Sequence, residues 1–121
     1  MPRERLWPRT TAAAPTQPFS SAEEAWFWFM QAHQALLDGA KPRAGEALTP
    51  RPCEPVDIFR ALDRLYRHRR LIRDHVAVLA HYGRRLMAPD PSRWREARSA
   101  GLWREALDRL EGPLRRKGIV A

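Results

Sequence analysis

Cysteine is almost absent from this 121-residue chain. Cys53 stands alone, so no disulfide can close within the chain, and the reducing cytosol is the expected setting. Long apolar runs are missing too. The longest, Ala25 to Met30, has six residues against the roughly 20 needed to cross a bilayer. Arg3, Arg5 and Arg9 have no apolar stretch behind them, so they do not form a secretory signal. A cytoplasmic protein of bacterial or phage type, without a membrane partner, is the expectation. Lysine is scarce as well: Lys41 and Lys117 are the only two among 22 basic residues.

Acidic residues number 14 against those 22 bases, giving a formal net charge of +8 and a pI near 11.1. That balance favours an anionic partner. Arginine suits phosphate because its planar fork donates two hydrogen bonds at once. Codon usage in a GC-rich genome would also replace lysine by arginine, so the clustering of charge carries more weight than the ratio. Eight arginines (60, 64, 67, 69, 70, 73, 84 and 85) fall between Arg60 and Arg85, against only Asp63 and Asp74.

Catalytic and metal-binding signatures are lacking. His33, His68, His75, His81 and Cys53 show no i, i+3 or i, i+4 pair, so neither a metal site nor a cofactor is expected. No glycine-rich phosphate loop or dinucleotide fingerprint is present. Asp57, Asp63, Glu105 and Asp108 sit at helical spacings beside arginines, as surface ion pairs do. No catalytic residue is assigned, and the chain is read as a non-enzyme.

What is present is helical periodicity. Residues 1–18, with Pro2, Pro8, Pro15 and Pro18, read as a disordered basic arm ahead of one helical domain over 19–121. Ser20 and Ser21 precede Glu23 and Glu24 by three residues, as two overlapping capping boxes would. They predict a helix from Ala22 to Asp38 closed by Gly39. The Pro-rich stretch 39–55 reads as a loop, and Pro55 opens a second helix with Ile58, Phe59, Leu62, Leu65 and Tyr66 as its buried stripe. A turn at His68–Leu71 leads to a third helix, from Ile72 to Tyr82, stopped by Gly83. Asp90 is placed to cap a short helix over 91–98 anchored by Trp94, and Ser99 to cap the last helix. Pro113 should kink or restart that helix near Gly112, and Gly118 should end it, with Ile119 and Val120 folding back on the core. The predicted fold is all-α: a bundle of four to five helices with a possible helix-turn-helix and no strands.

The function expected from this pattern is binding of duplex DNA. Arg60, Arg64, Arg67, Arg69, Arg70 and Arg73 would neutralise phosphates. In the last helix Arg104 would face bases, leaving Arg109, Arg115, Arg116 and Lys117 for the backbone. The alternative is a helical adaptor for another protein, with Trp7 and Trp94 as interface anchors. The stretch ALDRLYRHRRLIRDHVAVLAHYG (61–83), followed by LWREALDRLEGPLRRKG (102–118), resembles the fourth region of bacterial sigma factors and sigma-like phage regulators. In that family an arginine-bearing helix precedes a helix-turn-helix whose final basic helix reads promoter DNA. The resemblance implies a transcriptional regulator, with promoter DNA and RNA polymerase as partners.

Overall fold

The computed structural model describes residues 15–39 and 50–121. Four α-helices form: α1 (Ala22–Leu37), α2 (Pro55–Arg67), α3 (Arg73–Arg85) and α4 (Ala97–Arg116). Among the described residues there is no strand, only an isolated parallel bridge between Phe19 and Val120. The protein is all-α, as its periodicity predicts. Of the expected N-terminal arm, residues 1–14 lie outside the described part. Gln17, near its end, donates its backbone N–H to the carbonyl of Pro50 (2.9 Å).

Helix α1 starts where its capping sequence says. Ser21 Oγ accepts the N–H of Glu24 (3.1 Å). The Glu24 carboxylate reaches back to the backbone N–H of Ser20 (2.7 Å) and to its hydroxyl (2.9 Å). Those two bonds, the backbone one first, hold the Glu24 carboxyl below the usual carboxylate range. Neither box closes as written, because Ser21 caps Glu24 while the Glu24 carboxylate returns to Ser20 instead of Ser21. Glu23 accepts the indole N–H of Trp103 instead (2.9 Å), tying α1 to α4. The aromatic run of α1 belongs to the core. Trp26 and Phe29 are buried, Trp28 lies 5.2 Å from the ring of Phe19, and Phe27 lies 5.5 Å from that of Trp103.

One cluster of buried side chains links all four helices, and Leu62, Leu79, Trp103, Leu107, Leu110 and Leu114 are at its centre. Helix α4 supplies much of it and packs against α1, α2 and α3. Gly118, at φ 76°, turns the chain so that Ile119 and Val120 fold back and become buried, as expected. Phe19 seals this end, donating its N–H to Ile119 O (2.8 Å) and accepting that of Ala121 (2.9 Å).

Phe59 and Tyr66, expected in the buried stripe of α2, are 49% and 46% exposed, because they sit at the edges of the face that Ile58 and Leu62 turn to the core. Four further local expectations need correction. Gly83 does not stop α3, which runs on to Arg85. A Cβ at Gly83 would lie 2.7 Å from Met30 Cγ and 2.8 Å from Trp26 Nε1, so its glycine serves close packing of α3 on α1. Trp94 does not anchor a short helix to the core: it is 82% exposed, in a three-residue 3-10 turn (Trp94–Glu96) with the Arg95 guanidinium 5.2 Å from its ring. Ser99 is not a cap, because this 3-10 turn feeds directly into α4 two residues ahead of it. Helix α4 also passes through Pro113 without restarting. Pro113 removes one backbone donor, but Leu110 and Leu114 on either side are both fully buried, and their packing holds the helix together.

Candidate nucleic-acid interface

The C-terminal half of α2 lies beside that of α4, and between them opens a cleft of about 590 Å³. Arg64, His68 and Arg70 line one side; Arg109, Arg116 and Lys117 line the other. Asp108 is the single carboxylate in the lining among the described residues. The floor is made by Ala61, Leu65, Gly112 and Pro113, whose small or compact side chains leave it concave. Helical spacing explains the walls. Arg64 and His68 are one turn apart on α2, as Arg109 and Pro113 are on α4, and the core stripes of both helices point elsewhere.

The turn between α2 and α3 forms the end of the cleft and is firmly held. Leu71 is buried at its base. Arg70 donates its N–H to Leu65 O (2.8 Å), and Arg109 Nη1 donates to Arg70 O (3.0 Å), tying the two walls together. Among the described residues, Arg64, Arg69, Arg70, Arg73, Arg116 and Lys117 have no carboxylate within ion-pair distance. These cations are exposed and keep their charge for a ligand.

The remaining sequence-assigned arginines are placed differently. Arg60 pairs with Asp57 (3.8 Å) and Arg67 with Asp63 (3.0 Å), each one turn away on α2. Arg115 pairs with Glu111 (2.8 Å) and donates to Ala121 O, on another flank of α4. Arg104 lies beside Trp103, Glu23 and Glu111 in a separate hollow of about 390 Å³. The cleft therefore gathers Arg64, Arg70, Arg109, Arg116 and Lys117, with Arg69 between two of its lining residues, and not Arg60, Arg67, Arg73, Arg104 or Arg115. Sequence reading missed His68 and Asp108 as lining residues. Their spacing to Arg64 and Arg104 was visible, but nothing local reports that α2 and α4 are neighbours.

Among the described residues, no group of three His, Cys, Asp or Glu side chains could hold a metal ion. Burial pushes the Cys53 thiol up to about 11, with Asp57 and Glu54 adding to the effect, so its reactive thiolate is scarce at neutral pH. His75 is buried at the start of α3 with both ring nitrogens occupied. Nδ1 accepts the N–H of Ile72 (3.1 Å), which leaves the proton on Nε2 to be donated to Glu105 (2.9 Å). This pair braces α3 against α4.

Donation from His75 holds the Glu105 carboxyl below the usual carboxylate range, with help from Arg109. A carboxyl lowered on folding stabilises the protein above its unfolded pKa, and that contribution disappears as pH falls through the folded value. Glu105→Gln should therefore be less stable than the parent chain at neutral pH, with the gap closing in strongly acidic buffer. Urea melts of both proteins at the two pH values check this.

No known family model, curated protein or solved structure matches the chain. No helix among the described residues is long and apolar enough to cross a membrane.

Proposed function

We propose that this protein is a nucleic-acid-binding module that seats the phosphate backbone of duplex DNA in the α2–α4 cleft. The observation that carries the reading is the cleft lining, with cations on both walls and one carboxylate between them. A concave basic groove receives a convex anionic ridge, and a DNA strand presents one phosphate charge after another along such a ridge. Among the described residues, no Phe, Tyr or Trp lines the cleft, and His68 is its one aromatic ring. Single-strand binders rely on successive base–aromatic stacking for about 1–3 kcal/mol per base, and a lone imidazole is no such platform. Contacts of this kind position the duplex and read no sequence.

The step from DNA binding to transcription regulation rests on the resemblance of residues 61–118 to sigma-like regulators. A helix-turn-helix mode would place α4 in the major groove instead. Helix α4 is already packed against three helices and mixes Glu105 and Asp108 with its exposed arginines, so the cleft is the better-supported contact. Binding of a random-sequence duplex and of its separated strand, followed by fluorescence anisotropy, tests the reading. The duplex should bind more tightly at equal charge concentration. Preference for the single strand would overturn it.

The adaptor alternative rests on a different surface. On the other flank of α2, Met30, His33, Val56, Phe59, Val76 and Arg84 line an apolar groove of about 530 Å³, and Leu36 and Leu37 at its edge are largely exposed. Val76, Ala80 and Arg84 run along α3 at four-residue intervals over about 12 Å. That length matches two turns of a partner helix docking through its apolar face. Arg84 is a cation in a lining that has no carboxylate among the described residues, so an acidic residue on that helix would complement it. Phe59→Ser should abolish such docking and leave duplex binding unchanged; loss of both would contradict the separation of the two surfaces.

A further inference from the structure

The end of α2 uses arginine where the backbone asks for glycine. Arg69 has φ 62°, in the left-handed region that side chains with a Cβ enter only at a cost. The same requirement after α1 and after α4 is met by Gly39 (φ 73°) and Gly118 (φ 76°). Leu86, at the end of α3 with φ 53°, is the other exception. The strain at Arg69 cannot relax, because Leu71 is buried just beyond it and Arg109 holds the carbonyl of Arg70. Strained residues persist where the surroundings over-determine them, and they concentrate at functional sites.

The position of Arg69 indicates what the strain gains. It lies between His68 and Arg70, which both line the cleft, and its exposed guanidinium has no carboxylate within ion-pair distance among the described residues. Glycine there would ease the backbone and remove one cation from the rim. Leu86 has no such role, since it is outside the cleft lining and carries no charge.

We propose that Arg69 is an affinity-determining contact of the cleft, fixed at its rim by a strained turn, where it takes a backbone phosphate of the bound nucleic acid. The proposal rests on the reading of the cleft as the phosphate-binding site. It requires stability and affinity to move in opposite directions at this position. Arg69→Gly should raise the thermal midpoint by about 2–5 °C. It should also weaken binding of random duplex DNA about fivefold at physiological salt and reduce the salt slope by about one, as loss of one phosphate contact does. Leu86→Gly is the internal control: it should raise the midpoint similarly and leave affinity and slope unchanged.

The experiment is a thermal melt and a salt-dependent anisotropy titration on the parent chain and both variants. If the parent chain binds with a clear salt slope and Arg69→Gly binds identically, the proposal for Arg69 falls while the cleft reading stands. An Arg69→Gly midpoint that falls or stays level overturns the claim of strain. If the parent chain shows no salt-dependent binding, the cleft reading itself fails and the proposal with it.

Discussion

Gly83→Ala is expected to destabilise the protein, although helix propensity alone predicts the reverse. Gly83 lies inside α3, where exchanging glycine for alanine ordinarily gains about 1 kcal/mol. Here the new methyl would enter space held by Met30 Cγ at 2.7 Å and Trp26 Nε1 at 2.8 Å. Overfilling a packed interface costs roughly 1–3 kcal/mol. Trp26 Nε1 also donates to Leu79 O across the α1–α3 interface (3.0 Å), and this indole cannot retreat without leaving a buried polar pair unsatisfied. A lost buried hydrogen bond adds about 1–3 kcal/mol. The two penalties together outweigh the propensity gain, leaving a net loss of roughly 1–5 kcal/mol. Chemical denaturation measures it, and a stabilised variant would mean that α1 and α3 are not in close contact.

Leu110→Ala should cost still more, about 3–5 kcal/mol. Leu110 is fully buried in the helix that touches every other helix, so the cavity it leaves is enclosed on several sides and cannot collapse easily. Small domains have roughly 5–15 kcal/mol of total stability, so this single truncation brings the protein close to unfolding. The nearby Leu107→Ala should cost about 2–5 kcal/mol. A neutral result at Leu110 would place the inward face of α4 elsewhere, and with it the outward direction of Arg109 and Arg116.

The helical class and the start of α1 were legible because both rest on short-range signals. Ser21 and Glu24 sit three residues apart, and Leu107, Leu110 and Leu114 repeat at helical spacing. Leu62, Trp103 and Leu107 are buried as their periodicity implies. Apart from Ser99, whose helix starts two residues early through the adjoining 3-10 turn, the misread positions depend on what lies across the fold. Gly83 looks like a helix stop until Trp26 is placed against it. Pro113 looks like a break until the burial of its neighbours is known. Trp94 looks like an anchor, yet no core lies beneath it. At the candidate site, the individual arginines were readable as outward-facing. Which of them share a cleft was not, because that depends on α2 and α4 being neighbours across about forty residues of chain. The ion pairs of Arg60, Arg67 and Arg115 with acids on their own helices were visible as spacings, and could have set those residues apart from the start.

The central claim is that the cleft between α2 and α4 grips phosphates. A salt titration of binding to random duplex DNA, comparing the parent chain with an Arg64→Ala, Arg116→Ala double variant, tests it most directly. Both side chains are exposed, one on each wall, so neither substitution opens a core cavity and the thermal midpoint should hold. If Arg64, Arg69, Arg70, Arg116 and Lys117 each neutralise one phosphate, log affinity should fall against log salt with a slope of roughly −4 to −5. In the double variant the slope should shrink by about two, with weaker binding to every sequence alike. A folded double variant with the affinity and slope of the parent chain would contradict the account.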